Sequence, residues 1–388
     1  MLLIHADIHS MDGHDYADGY IRTDGSKIEA LGDMKELASI PADALDLKGA
    51  TVLPGFIDAH CHIGVCDDSL REEGDDCNDA NDPTTPQLSA VDAVDFLDVC
   101  FREAVDAGVT SVLTGPGSAN PIGGQWLAMK TYGSTMDDMC FKAPAGMKFA
   151  LGENPKTCYH GKGRAPSTRM ATASIIRIAF EKTKRYMEDL EKAEKDPKAS
   201  KPAYDEKCEA LIPVLKGEVR AFFHAHRADD ILTAVRLGKE YNLDYVVVHC
   251  TEGHRIADTL AKEHVRAIVG PILTDRSKPE LRHQTPANAG RLLAAGVAPA
   301  ICTDHPVIPI QYLPISAAVC VKMGLPYEDA IKGLTIRAAE LAGISDRVGS
   351  ITPGKDADLI VFPIGMNPLE AMSSPSHVII NGELVKGA

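Results

Sequence analysis

Apolar positions change their spacing twice along the chain. In residues 1 to about 50 they form short runs, at 2–8 and 20–23, broken by the turn signals Asp12-Gly13, Asp24-Gly25 and Leu31-Gly32-Asp33. From residue 53 short apolar runs alternate with stretches of helical spacing. Val94, Leu97, Phe101 and Ala104 predict a helix over 90–107, and residues 108–113 read as a buried strand. A strand at 147–151 precedes a long amphipathic helix over 168–194. Its charged end, residues 188–201, reads as a solvated face. Strands at 219–223, 245–248, 267–269 and 298–301 follow. Helical segments at 229–241, 253–263 and 285–295 separate them, and Gly270-Pro271 and Gly296-Val297 punctuate the units. Beyond residue 349 a polar turn leads back to short strands at 359–362 and 377–380, with Asn381-Gly382 as a hairpin turn.

Strands alternating with helices over nearly 300 residues predict parallel βα units. Centred on Ile57, Val112, Phe149, Phe222, Val247, Ile268 and Ile301, seven strands are visible, and an eighth is expected between residues 66 and 90. The expected fold is α/β, a (β/α)8 TIM-like barrel. The two terminal segments are each too small to bury a core. They are expected to join as one small β-sandwich domain, residues 1–54 with 350–388, into which the barrel of residues 55–349 is inserted.

Composition narrows the partners. The 388 residues are 45% hydrophobic and carry a formal net charge of -15. An acidic surface repels phosphate backbones, so nucleic acid is not an expected partner. No apolar run approaches the roughly 20 residues that span a bilayer. The start, Met1-Leu2-Leu3-Ile4-His5-Ala6-Asp7, is too short and acidic for a secretion signal. Ten cysteines show no Cys-x-x-Cys pair, which excludes a zinc ribbon and predicts free thiols in a reducing cytoplasm. A small-molecule substrate is expected, and a homo-oligomer is compatible with the sequence.

The chemistry gathers where strands end. Leu53-Pro54-Gly55-Phe56-Ile57-Asp58-Ala59-His60-Cys61-His62 opens as a buried strand and closes on two histidines one residue apart. In an extended backbone alternate side chains share a face, so His60 and His62 point the same way. Later strands finish on His224, His249 and Asp304. Four strands ending on metal-ligand residue types, at the face where a barrel keeps its active site, predict a metal centre.

These residues, with His224-Ala225-His226 and the tail Gly349-Ser350-Ile351-Thr352-Pro353-Gly354-Lys355-Asp356-Ala357-Asp358-Leu359, resemble a metal-dependent hydrolase of the amidohydrolase superfamily. The likeness spans nearly the whole chain. It is nearest the branch of imidazolonepropionase, cytosine-deaminase-related enzymes and prolidase-like dipeptidases, which share a barrel with a flanking β-sandwich. The resemblance implies that His60 and His62 hold one metal, that His224 and His249 hold a second or share in a single one, and that Asp304 is both ligand and general base. His and carboxylate ligands suit Zn²⁺ best, with one or two ions per chain. A bridging anion is implied near residue 150, from Glu153 or a carboxylated Lys148. These two have opposite strand parity, and Glu153, level with the other ligands, is the expected one.

His226 shares a face with His224 and is a candidate for substrate, as are Tyr159 and, for a substrate carboxylate, Arg164, Arg276 and Lys278 in the loops; His254 and His305 are weaker candidates. Gly115-Pro116-Gly117 and Gly123-Gly124-Gln125 lack a phosphate-loop lysine and are expected as a loop after a strand. The expected activity is hydrolysis of a C–N bond in an amide, cyclic amide or short peptide by a metal-activated water. A deaminase of a nitrogen heterocycle is the alternative, although such enzymes carry a glutamate where His226 stands. A non-catalytic scaffold is a further alternative, disfavoured because every implied ligand is retained.

Overall fold

The computed structural model describes residues 1–68, 71–196 and 198–387. Strands Leu2–Ile8, Tyr16–Asp24, Lys27–Asp33, Leu45–Asp46 and Thr51–Pro54 share one eight-stranded sheet with Leu359–Phe362, His377–Ile380 and Glu383–Lys386. The two chain ends meet where Thr51–Pro54 runs antiparallel to Leu359–Phe362. Leu3, Ala6, Ile8, Ile21, Val52, Leu359, Val361 and Ile379 form the apolar cluster of this sheet. Each half supplies only part of it, so burial is what joins them.

The second sheet positions the chemistry. Its strands are β1 (Phe56–Cys61), β2 (Val109–Thr114), β3 (Ile122–Lys130), β4 (Cys140–Ala150), β5 (Ala221–Ala225), β6 (Tyr245–His249), β7 (Ala267–Val269) and β8 (Ala300–Ile301), paired in that order. His62 N–H donates to the His305 carbonyl at 2.8 Å and Asp304 N–H to the His60 carbonyl at 3.1 Å. These bonds draw the end of β1 to the segment after β8 and close the barrel.

The eighth strand is not between residues 66 and 90, where the described residues show turns and single bridges. It is β3, which begins at Ile122 and contains the Gly123-Gly124 pair expected as loop. It runs antiparallel to both β2 and β4, so the barrel is not built wholly of parallel units. A Cβ on Gly124 would lie 2.8 Å from the Leu88 carbonyl. The glycine lets residues 84–89 cross β3 with bridges at Ile122 and Gln125. The helix expected over 90–107 is confined to Val99–Asp106, capped by Asp98, while Leu97 is exposed. The long helix is Arg169–Lys195, capped by Thr168.

Strand alternation sorts side chains between two clusters. Phe223 and Val247 join the outer one with the helices, whereas Phe222, Val246 and Val248 join Ile57, Leu113 and Trp126 in the inner one. His249 has the parity of Val247, yet its φ is +70°, and Asp304 has φ +58°. Left-handed backbone at a non-glycine residue costs about 1–3 kcal/mol and concentrates at functional sites. At both positions the chain leaves its strand by a turn that alternation does not describe.

Candidate metal centre

His60, His62, His224, His249 and Asp304 come together at the carboxyl ends of β1, β5, β6 and β8. Asp304 Oδ1 lies 3.1 Å from His60 Nε2 and 3.5 Å from His62 Nε2. One ligand atom from each of His60, His249 and Asp304 falls within 4.8 Å of the others, as do those of His224, His226 and His249.

Bonds behind the rings aim them. His62 Nδ1 donates to the Gly115 carbonyl at 2.7 Å and His249 Nδ1 to the Gly270 carbonyl at 2.8 Å. A carbonyl only accepts, so in the neutral rings the proton sits on Nδ1 and the Nε2 lone pair faces the centre. His224 Nδ1 is paired with Ser118 Oγ at 2.8 Å. His60 is held by stacking on Trp126, centroids 4.4 Å apart, and Trp126 stacks in turn on Phe222. The rings of His60–His62, His60–His249 and His224–His249 cross at 76–86°, an arrangement in which in-plane lone pairs can converge. This donor set of imidazoles and one carboxylate fits a divalent cation such as Zn²⁺.

His226 differs. Its ring lies at 17° to that of His249 with centroids 4.5 Å apart, so the two in-plane lone pairs cannot meet on one ion. Nδ1 is paired with Thr251 Oγ1 at 2.7 Å and Nε2 stands 3.7 Å from Glu280 Oε1. His226 is part of the wall, beside the ligands.

The structure brings Lys148, and not Glu153, to the histidine cluster. The Lys148 side chain is fully buried, with Nζ 3.4 Å from His60 Nε2 and 4.7 Å from the Trp126 ring centre. β4 ends at Ala150, and Gly152, with φ +83°, turns the chain before Glu153 opens a helix. Glu153 is thereby turned towards the loop after β7. Its N–H donates to Glu280 Oε2 at 3.0 Å, and its Oε2 accepts from Glu280 N–H at 3.3 Å.

Of the loop candidates, Lys278 alone lies beside the centre. Its Nζ donates to Asn154 Oδ1 at 2.9 Å, and Asn154 Nδ2 is 3.4 Å from His224 Nε2. Tyr159 is buried, and its hydroxyl ties to Asn120 Oδ1 at 2.6 Å. Arg276 donates to the Gln284 carbonyl at 2.9 Å and Arg164 to that of Asn81. These three hold loops together. His305 Nδ1 accepts from Ile310 N–H at 3.2 Å, which leaves the proton on Nε2 and no lone pair for a metal.

Burial keeps most of the rings neutral. It holds His60, His224 and His226 well below the ordinary range, reinforced by Lys148 at His60 and by neighbouring imidazoles at the other two, and lowers His249 to about 4. For Asp304 burial acts upward but is outweighed by His249, His60 and His62, so the carboxyl is held well below its usual range. Burial likewise acts against protonated His62, yet Cys77 and Asp304 pull it up to about 10. A proton held by these neighbours occupies the electrostatic place a cation would take. Lys148 is lowered to about 8, chiefly by burial.

Pattern reasoning missed several supporting residues. Asp58 is buried, accepts from His60 N–H at 3.2 Å and from the Thr303 hydroxyl, and so clamps β1 to β8. Its parity with His60 and His62 was a usable signal. Trp126 was marked only by being the sole tryptophan. Ser118, Thr251 and Glu280 carried no sequence signal.

The amidohydrolase family profile matches residues 51–385. Amidohydrolase tasK of Hapsidospora irregularis is 28% identical over 388 residues, which cover 94% of this chain and 39% of that protein. An imidazolonepropionase of Geobacillus kaustophilus is 35% identical over 108 residues, 24% of this chain and 26% of its own. The chain therefore spans about two fifths, or less, of the length of these curated relatives. Among solved structures, an amidohydrolase from Thermotoga maritima MSB8 superposes over 100% of both chains with a TM-score of 0.94 and 39% identity. A Xaa-Pro dipeptidase with bound methionine superposes over 100% of this chain and 99% of its own, with a TM-score of 0.60. At 19% identity that second likeness is one of fold alone.

Proposed function

The chain belongs to the amidohydrolase family, and from that premise we propose that it is a metal-dependent hydrolase of the C–N bond in a small carboxylate-bearing amide, such as a dipeptide or an N-acyl amino acid. The observation that carries this reading is the set of rings aimed from behind, with His62 and His249 Nδ1 each on a backbone carbonyl and Nε2 turned towards the centre that Asp304 completes. His60, His62 and Asp304 would hold one divalent ion and His224 and His249 a second. Lys148, in place of Glu153, is the bridging candidate. Its lowered pKa leaves free amine near neutral pH, and addition of CO2 to that amine with loss of a proton gives the carbamate anion.

A cation in this site supplies Lewis acidity, lowering the pKa of bound water towards about 7 and polarising the scissile carbonyl. Asp304, kept ionised by its imidazole neighbours, takes the proton of the attacking water and passes it to the leaving amine. With Nε2 on a cation and Nδ1 on a backbone carbonyl, His62 and His249 would have no lone pair left for that proton. Lys278, exposed beside His224 and His226, pairs with the substrate carboxylate. Residues 1–54 with 350–388 are read as one flanking β domain of sandwich type on the barrel of residues 55–349. The cysteines, free among the described residues, suit a reducing cytoplasm, and no helix among those residues is long and apolar enough to cross a membrane.

The test is elemental analysis of protein purified without chelator, followed by assay against dipeptides, N-acyl amino acids, hydantoins and imidazolones. One or two divalent ions per chain and turnover of a dipeptide or acyl amino acid are expected. Metal-free protein without turnover would end the reading.

A further inference from the structure

A second group of metal-binding side chains lies outside the centre, on the loop that follows β1. Asp67 N–H donates to the Gly74 carbonyl at 2.8 Å and Asp76 N–H to that of Val65 at 2.9 Å. Between them Cys66 and Asp75 form an isolated antiparallel bridge, which sets their side chains next to each other. Cys66 Sγ is 3.7 Å from Asp75 Oδ1. Asp75 Oδ1 also accepts from Cys77 N–H at 3.2 Å, and the Cys77 carbonyl accepts from Gly117 N–H at 2.8 Å. The second thiol is thus carried to the same point, and Cys66 Sγ, Cys77 Sγ and an Asp75 oxygen all lie within 4.8 Å of one another.

We propose that Cys66, Asp75 and Cys77 form a binding site for a thiophilic divalent cation such as Zn²⁺ or Cd²⁺, distinct from the histidine centre. Two thiolates and a carboxylate are a donor set selective for soft or borderline ions over Mg²⁺ or Ca²⁺. A tetrahedral ion with sulfur at about 2.3 Å and oxygen at about 2.1 Å needs those two donors about 3.6 Å apart, close to the Cys66–Asp75 spacing. Cys77 is 5% exposed, while Cys66 is half-buried and Asp75 is exposed. The site is therefore anchored on its inner side and open to solvent on the other, where water can complete the shell. A competing cluster, Asp98, Cys100 and His305, fails the same test because His305 offers no lone pair. The position has a consequence for turnover. The Cys77 carbonyl is held by Gly117, two residues beyond the Gly115 carbonyl that takes His62 Nδ1, so a cation on the loop sits near the segment that aims a ring of the centre, and excess Zn²⁺ should inhibit.

The test is independent of the hydrolase reading. The reduced full chain, its histidine centre first supplied with Zn²⁺, is titrated with Cd²⁺ under argon. The thiolate-to-cadmium absorption and the metal content after desalting are followed. Wild type should gain the absorption and about one more equivalent of metal than Cys66→Ser, as expected for a site built on two thiolates. Asp75→Asn should keep the absorption at a weaker affinity. Cys66→Ser carries the test, since Cys77 is buried and its backbone is bonded to the loop that aims His62. Unfolding by circular dichroism confirms that the variants compared are folded. Equal uptake by wild type and Cys66→Ser, or no thiolate absorption in wild type, would overturn the site.

Discussion

The two ends of the barrel bury polar groups in opposite ways. At the end facing the terminal sheet, Lys130, 1% exposed, reaches Asp358 and lies 3.0 Å from Asp356. Asp356 also takes Lys27 at 2.6 Å and Arg347 at 2.8 Å, and Asp358 accepts from Asn381 N–H at 2.9 Å. Every charge there has a protein partner. At the other end imidazole lone pairs converge on one another with one carboxylate and one amine. The first arrangement pairs each of its charges and joins four segments of chain, at residues 27, 130, 347–358 and 381. The second gathers several imidazoles around one point with a single carboxylate, the donor set of a candidate cation site. Burial of a polar cluster therefore says little until its donors and acceptors are counted against each other.

The sharpest way to break this contrast is Lys130→Met. It leaves two carboxylates buried without their shared cation and should cost about 3–5 kcal/mol in urea unfolding, with turnover per folded molecule unchanged. A loss below about 1 kcal/mol, the value of an exposed pair, would erase the distinction. Asp304→Asn should do the reverse. Turnover falls on the order of a hundredfold or more, while the unfolding midpoint moves less than in Lys130→Met; metal content is measured beside the rate. Lys278→Met should raise KM about tenfold for carboxylate-bearing amides, about 1.4 kcal/mol of binding, with kcat nearly kept. Equal effects on an uncharged amide would separate Lys278 from the substrate carboxylate.

Acid should distinguish the two clusters in metal-free protein. His249 has a folded pKa of about 4 against an ordinary 6.5, so the unfolded chain binds its proton first. Stability from this residue is complete above 6.5 and is lost as pH falls towards 4. Asp356 is lowered from 3.8 to about 2. Burial opposes that shift, and Arg347, Lys130 and Lys27 overcome it. Its contribution is complete above the ordinary carboxylate range and is lost between 3.8 and 2. The melting temperature should decline in two stages on acidification. The stage near neutrality should persist and deepen when Zn²⁺ is restored, because the unfolded imidazoles still titrate near 6.5 while metal-bound ones resist protonation further. One stage only, below pH 4, would show that the imidazoles are not held neutral by the fold.

The sequence made some of this legible and hid the rest for physical reasons. Period-two spacing placed His60 and His62 on one face, and the apolar runs before His224 and His249 marked their strands. β3 stayed hidden because Gly123 and Gly124 read as loop, although a glycine there serves the close crossing of residues 84–89. The different placements of Lys148 and Glu153 turn on Gly152. Its left-handed backbone re-aims Glu153 after the strand has ended, so level along the sequence did not mean level in space. Tyr159, Arg164 and Arg276 read from the sequence as loop residues, but Tyr159 is buried in a helix and the partners of all three are carbonyl and amide oxygens up to 83 residues away. No local pattern encodes such partners. Asp356 and Asp358 were visible as part of a tail motif, yet their cation, Lys130, is 228 residues from Asp358.

The pairing of Thr51–Pro54 with Leu359–Phe362 sets an order of events during synthesis. At about 5–20 residues per second, the roughly 300 residues between the two strands take about 15–60 s to leave the ribosome. Through that interval Val52 and Leu53 line an unmatched β edge, and Lys27 awaits Asp356, 329 residues downstream. The strands made early in the chain are thus among those completed last. A nascent chain arrested before residue 359 should expose this edge to a holdase chaperone, and release should follow translation of the return strand rather than completion of the barrel.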